Sequence, residues 1–174
     1  YVVFGGQSFG AAFDLSSLDG TNGFVLYGRA AGDNSGQSVS SAGDVNGDGV
    51  DDLIIGASQA DPNGDRSGES YVVFGGLDIT GGTGTFELSD IDGTNGFVLN
   101  GVDASDFSGQ SVSSAGDVNG DGIDDLIIGA RQADPEDPDM TIRSGAGEGY
   151  VVFGGQSFGA AFDLSSLDGT NGFV

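Results

Sequence analysis

The sequence predicts an all-β protein made of repeated four-stranded units. Short runs rich in Val, Ile, Phe and Tyr recur along the chain, and Gly, Asp or Asn bounds each run. No stretch shows helical apolar spacing over the ten or more residues that a helix needs. Glycine supplies 35 of the 174 residues and proline only 3, which favours tight turns between short strands.

Each unit contains four candidate strands. The first is small and alternating (38–42 and 111–115), and the second is almost continuously apolar (52–57 and 125–130). The third begins at residues 70 and 149, and the fourth spans 23–28 and 96–101. The apolar second strand is typical of a strand covered on both faces. The segments "FDLSSLDG" and "FELSDIDG" are short, and we expect each to form a loop or a single turn.

Repeated segments define the organisation of the chain. "YVVFGG" begins at Tyr1, Tyr71 and Tyr150, so successive copies are 70 and 79 residues apart. Residues 1–25 and 150–174 are identical. Two interpretations of this identity stay open. The sequence is part of a longer tandem array, or the duplicated end allows chains to close on one another.

Four strands in each interval of this length are typical of a β-propeller blade. The coils of a parallel β-helix, the other candidate, are much shorter than this interval. We expect residues 1–34 to form the outer strands of a preceding blade and 35–107 to form the first complete repeat. Residues 108–174 then form a second repeat that ends in a copy of residues 1–25.

An acidic loop precedes the second strand of each unit, in "GDVNGDGVDDLIIGA" (43–57) and "GDVNGDGIDDLIIGA" (116–130). Four carboxylates within nine residues repel one another unless a cation neutralises them. Oxygen donors occupy positions 1, 3, 5, 7 (a backbone carbonyl) and 9 of each loop. These residues are Asp44, Asn46, Asp48, Val50 and Asp52 in the first loop, and Asp117, Asn119, Asp121, Ile123 and Asp125 in the second.

This spacing matches the first half of an EF-hand calcium loop, in which glycine at position 6 permits a sharp turn. Gly49 and Gly122 hold that position here. An EF-hand also needs Glu at position 12 and flanking helices, whereas this chain has isoleucine there and strands on both sides. The closing carboxylate must therefore come earlier, at position 9.

Calcium is favoured over zinc because every donor is oxygen and the chain has neither Cys nor His. The spacing thus predicts two Ca²⁺ sites. A metal-free interpretation, in which the loops are Asx-type turns, is the alternative. The carboxylates at position 8, Asp51 and Asp124, are predicted to face solvent or to lie outside the ligand set.

The stretches "SGQSVSSAGDVNGDGVDDLIIGA" and "FSGQSVSSAGDVNGDGIDDLIIGA" resemble FG-GAP repeats, the blades of integrin α-subunit propellers and of many large bacterial surface proteins. The resemblance implies a propeller with Ca²⁺ in the loop between the first two strands. The residues at positions 1, 3, 5, 7 and 9 of each loop would be its ligands. "NSGQ" and "FSGQ" stand where the family has Phe-Gly, and these departures alter turns rather than ligands.

Charge and composition exclude several function classes. The chain has 27 acidic and 4 basic residues and a net charge of −23, which disfavours nucleic acid and anionic membranes as partners. No apolar run is long enough to span a membrane. Paired carboxylates could in principle hydrolyse glycosides, but ligand spacing explains the clustered acids. The absence of His, Lys and Cys removes the usual bases and nucleophiles, so we expect no enzymatic activity.

We therefore expect a calcium-stabilised repeat module of a large extracellular or cell-surface protein, building an adhesive or fibrous structure. Millimolar extracellular Ca²⁺ suits modular sites of this kind. Neighbouring repeats or identical chains are the expected partners. The alternative is a propeller that binds a protein or glycan through its loops. The insertion at residues 134–149, where the two units differ most, is the best candidate for such a loop.

Overall fold

The computed structural model describes residues 1–6, 10–76, 81–135 and 143–174, and in these ranges it is all-β apart from three short 3₁₀ turns. None of the described segments forms a helix long and apolar enough to cross a membrane. The strands are β1 (Val2–Val3), β2 (Gly23–Tyr27), β3 (Ser38–Gly43), β4 (Asp52–Ala57), β5 (Glu69–Val73), β6 (Thr85–Glu87), β7 (Gly96–Asn100), β8 (Ser108–Gly116), β9 (Asp125–Ala130), β10 (Glu148–Val152), β11 (Ala161–Asp163) and β12 (Gly172–Phe173). The 3₁₀ turns are Leu15–Ser17, Leu88–Asp90 and Leu164–Ser166.

The strands form three sheets that follow the sequence repeats. Strands β3, β4, β5 and β7 pair in sequence order, each antiparallel to the next, and form one four-stranded blade. Strands β8, β9, β10 and β12 repeat this order in a second blade. A third sheet joins β1, β2 and β6. The predicted all-β fold of four-stranded antiparallel blades is confirmed.

A short parallel strand links each blade to the next. Strand β11 pairs parallel with β7, and β6 pairs parallel with β2, so the segment before each fourth strand extends the outer edge of the preceding sheet. The prediction of loop or a single turn for these segments was incomplete. The 3₁₀ turn forms, but three residues before it join a neighbouring sheet.

A sequence identity shows why this strand was missed. Residues 11–17 and 160–166 are identical, and both end in a 3₁₀ turn. Only the second copy contains a strand, Ala161–Asp163, which pairs with β7. Extended backbone forms a strand where the edge of a neighbouring sheet satisfies its N–H and C=O groups. The neighbouring blade, rather than the local sequence, therefore decides whether this strand forms.

The two faces of the first blade contribute to two separate hydrophobic clusters. Side chains alternate along a strand, so Ile54 and Ile55 lie on opposite faces of β4. Ile54 packs in a cluster that includes Leu126 and Tyr150 of the second blade. Ile55 lies in the other cluster, together with Phe86 of strand β6. As predicted, β4 is buried on both faces between neighbouring elements.

Equivalent residues of the two blades differ sharply in exposure. Ile54 is 0% exposed where the blades meet, whereas its counterpart Ile127 is 43% exposed. Val112 of β8 is 7% exposed, whereas its counterpart Val39 of β3 is 65% exposed. Each blade therefore carries two apolar faces, and the face that contacts another blade is buried.

A hydrogen-bonded aspartate turn precedes each fourth strand. The Asp92 carboxylate accepts hydrogen bonds from the amide and the hydroxyl of Thr94, at 2.8 and 2.7 Å. These bonds, led by the hydroxyl, hold the pKa of Asp92 below its ordinary value. The same contacts and the same direction of pKa shift recur at Asp19 and Asp168. These turns are therefore built to hold an ionised carboxylate.

The aspartate turns predict loss of stability in acid. A lowered folded-state pKa stabilises the fold fully above the ordinary Asp value of 3.8, and the stabilisation is lost as the pH falls through the folded value. We expect Asp92→Asn, which cannot be protonated, to flatten the fall in stability below about pH 4. Urea unfolding in chelator at several pH values measures this slope. Asp90→Asn is the control, and equal slopes for Asp92→Asn and the parent would contradict the prediction.

Candidate metal centre

The two acidic loops connect the first and second strands of each blade. Register places Gly43 opposite Asp52 in the first blade and Gly116 opposite Asp125 in the second, so each loop closes at its ninth position. At position 6, Gly49 has a φ of 88°, and Gly122 has a φ of 92°. Residues other than glycine rarely adopt this backbone conformation. The predicted role of the position 6 glycine in the turn is confirmed.

In the first loop, the side-chain oxygens at positions 1, 3 and 5 turn inward onto the loop's own amides. The Asp44 carboxylate accepts from the Asp48 amide at 2.9 Å and from the Gly49 amide at 2.8 Å. Asn46 Oδ1 accepts from the Asp48 amide at 2.8 Å, and Asp48 Oδ1 accepts from the Val50 amide at 2.8 Å. The side chains at positions 1, 3 and 5 therefore share the interior of one tight turn.

The second loop reproduces this arrangement. The Asp117 carboxylate accepts from the amides of Asp121 and Gly122 at 3.0 and 2.9 Å. Asn119 Oδ1 accepts from the Asp121 amide at 2.8 Å, and Asp121 Oδ1 accepts from the Ile123 amide at 2.9 Å. Two copies of one sequence give one geometry, so the local sequence determines the shape of the loop.

The position 9 aspartates are buried, and their hydrogen bonds connect each loop to its own blade. Asp52 Oδ2 accepts from the Val45 amide at 3.0 Å, and Asp52 Oδ1 accepts from the Gly75 amide at 2.8 Å. Burial raises the pKa of Asp52 to about 6 against the lowering effect of these two bonds, and the charges of Asp48 and Asp44 add to the rise. A cation beside this carboxylate would favour its ionised form.

Asp125 makes equivalent contacts in the second blade. It is 0% exposed, and its oxygens accept from the Val118 amide at 2.8 Å and from the Gly154 amide at 3.0 Å. Gly75 and Gly154 each begin the glycine pair that ends "YVVFGG". Sequence reasoning did not assign these glycines to the site. The signal that could have identified them is the strict recurrence of this pair after each third strand.

The donors suit a hard divalent cation, although the structure brings only part of the predicted set together. Positions 1, 3 and 5 lie side by side, whereas the two oxygens at position 9 face backbone amides. Among the residues that the structure describes, no group of three or more His, Cys, Asp or Glu side chains is placed to hold a metal ion. That group counts neither of two predicted donors in each loop, the Asn side-chain oxygen at position 3 and the main-chain carbonyl at position 7. The all-oxygen chemistry of the five donors fits Ca²⁺.

The two position 8 carboxylates have different environments. Asp51 is exposed, as predicted. Asp124 follows the second predicted alternative, outside the ligand set, because its side chain reaches the loop of the other blade. Asp124 Oδ2 accepts from the Asp44 amide at 3.0 Å, and the Asp124 amide donates to the Asp44 carbonyl at 3.3 Å. Asp124, at position 8 of the second loop, therefore connects the two loops.

The insertion in the second unit is described only at its ends, and residues 136–142 of the predicted binding loop lie outside the described residues. At those ends, the Arg143 amide donates to the Pro135 carbonyl at 3.0 Å. The Gly145 amide donates to the Asp134 carboxylate at 2.5 Å. A ligand-binding role for this loop stays a prediction.

Comparison with known proteins gives matches in both units. Residues 35–73 and 108–152 match the sequence model of the FG-GAP repeat. The chain is 32% identical over 118 residues, 65% of its length, to Integrin alpha-PS2 of Drosophila melanogaster. It is 35% identical over 95 residues, 55% of its length, to Integrin alpha pat-2 of Caenorhabditis elegans. The match spans only 8% and 7% of the length of these relatives.

Proposed function

Because this chain contains two FG-GAP repeats, at residues 35–73 and 108–152, we propose that it is a non-catalytic, calcium-stabilised repeat module of a large extracellular or cell-surface protein. The observation that carries the proposal is the recurrence, in both repeats, of a tight acidic loop with the same spacing of oxygen donors and the same hydrogen bonds. Each loop would hold one ion.

The donors proposed for the first ion are the side chains at positions 1, 3, 5 and 9 and the carbonyl at position 7: Asp44, Asn46, Asp48, Asp52 and Val50. Those for the second are Asp117, Asn119, Asp121, Asp125 and Ile123. A bound Ca²⁺ would neutralise the clustered carboxylates and cross-link the two ends of each loop. A net charge of −23 makes such neutralisation favourable for the compact state.

Blade-on-blade stacking supports a repetitive, structural role. The internal interface buries Ile54 and Val112, whereas their counterparts Ile127 and Val39 present similar apolar surface on the outward faces. Neighbouring repeats or identical chains are the partners that we propose to cover these faces. We propose that residues 1–34 complete a blade that begins in a preceding repeat, and that stacked blades build an adhesive or fibrous structure.

A calcium titration tests the metal assignment. We expect the parent chain to bind two ions, and we expect Asp48→Ala and Asp121→Ala each to remove about one, because each substitution deletes the position 5 carboxylate of one loop. Asp90→Ala, an exposed aspartate on a 3₁₀ turn, is the control and should leave the count unchanged. Unchanged stoichiometry in both loop variants would refute the assignment.

A protein or glycan ligand, bound through loops, is a second candidate. The insertion at residues 134–149 favours it, because this is where the two otherwise similar units differ most. Loops on a rigid scaffold commonly carry binding functions. The matched relatives are integrin alpha chains, which is consistent with a module that takes part in adhesion.

A further inference from the structure

The two acidic loops are joined by direct hydrogen bonds across the interface between the blades. Asp124 forms two hydrogen bonds with the Asp44 backbone. Its carboxylate accepts from the Asp44 amide at 3.0 Å, and its amide donates to the Asp44 carbonyl at 3.3 Å. The next residue of the first loop, Val45, accepts at its carbonyl from the Gly155 amide at 2.8 Å. The first loop is thus held by the second repeat.

The positions of these residues within their loops give the contact its significance. Asp124 stands between Ile123 and Asp125, which are positions 7 and 9 of the second loop. Asp44 is position 1 of the first loop. A contact that fixes Asp124 therefore also fixes the backbone of the first proposed ligand in the neighbouring blade.

The first loop is shaped to receive this carboxylate. A Cβ added to Gly43 would lie 2.2 Å from Asp124 Oδ2, so only glycine leaves room for it. The counterpart glycine, Gly116, has nothing within 4 Å of the same position. Burial follows the same pattern, since Val45 is 1% exposed whereas its counterpart Val118 is 51% exposed.

We infer that Asp124 is a positioning residue that couples calcium binding in the two loops, so that an ion in the second loop strengthens binding in the first. This inference rests on the proposed function. An ion held by Ile123 and Asp125 would fix the segment between them, and Asp124 would then hold the Asp44 backbone in place. The first loop loses less conformational freedom when its own ion binds. Because coupling is reciprocal, an ion in the first loop strengthens the second by the same factor.

A thermodynamic cycle measured by calcium calorimetry tests the coupling. Asp121→Ala gives the affinity of the first loop alone, and Asp48→Ala gives that of the second loop alone. We expect the parent chain to bind its two ions about tenfold more tightly than the product of these two affinities predicts, within the range usual for allosteric coupling. Adding Asp124→Ala to the parent and to both variants should bring this factor close to one.

Matched substitutions separate the contact from general charge effects. Asp51→Ala removes the equivalent but exposed carboxylate of the first loop and should leave the coupling factor intact. Gly43→Ala removes no charge but displaces the Asp124 side chain, so it should abolish coupling. Gly116→Ala imposes a similar positive φ, 68° against 74° at Gly43, without that clash, and should retain coupling.

The outcomes distinguish this inference from the function on which it rests. If the parent binds two ions with a factor near one, or if Asp124→Ala and Gly43→Ala both leave the factor unchanged, the coupling is overturned and the calcium module stands. If the parent chain binds no calcium, both are overturned. Loss of coupling in Gly43→Ala together with its retention in Gly116→Ala supports the contact even where Asp124→Ala folds poorly.

Discussion

Chelation of calcium is expected to lower the melting temperature of this chain by about 10–20 °C. A loop that binds Ca²⁺ with a dissociation constant of about 10 µM gains roughly 2.7 kcal/mol at millimolar Ca²⁺, and two loops gain about twice that. The whole fold of a typical domain is stable by only about 5–15 kcal/mol. For a chain of this size, each kcal/mol shifts the melting temperature by about 2–4 °C.

Thermal unfolding scans in millimolar Ca²⁺ and in chelator measure this shift. The double variant Asp48→Ala, Asp121→Ala is the control, because it should melt at nearly the same temperature in both solutions. Its midpoint should lie close to that of the chelated parent chain. Equal midpoints for the parent with and without calcium would contradict a stabilising role for the ion.

Ile54→Ala is expected to destabilise the chain by about 2–5 kcal/mol, the usual cost of truncating a fully buried isoleucine. Ile54 is 0% exposed in the cluster between the blades, so the deleted atoms leave a cavity with packed walls on both sides. The loss should appear as a lower urea midpoint when unfolding is followed in saturating calcium.

Ile127→Ala is the matched control for this substitution. It removes the same atoms from the equivalent strand position, but the side chain is 43% exposed and leaves less of a cavity. We expect it to cost about 1 kcal/mol or less, nearer to a surface substitution. Similar losses for Ile54→Ala and Ile127→Ala would show that the blades are not packed together through this face.

The blade strands could be predicted from sequence because their signal is local. Alternation, β-branched residues and bounding glycines identify β4 and β9 without reference to any partner. The parallel strands could not be predicted in this way. Residues 11–14 and 160–163 are identical, yet only the second copy supplies a strand, because only it pairs with the free edge of a neighbouring sheet.

The same division applies to the candidate metal centre. The bonds of Asp44 to the amides of Asp48 and Gly49 span four and five residues, so spacing alone predicts the turn. The partner of Asp52 at the glycine pair is 23 residues away, and the bond from the Asp44 amide to Asp124 spans 80 residues. Such contacts depend on how the blades pack, which the loop sequence does not specify.

Native mass spectrometry of the folded chain, after chelation and reloading with millimolar Ca²⁺, tests the proposed calcium module most directly because it counts bound ions. The predicted result is a chain that carries two calcium ions, with one ion remaining when Asp48 or Asp121 is replaced by alanine. A folded parent chain that retains no calcium under these conditions would contradict the proposal.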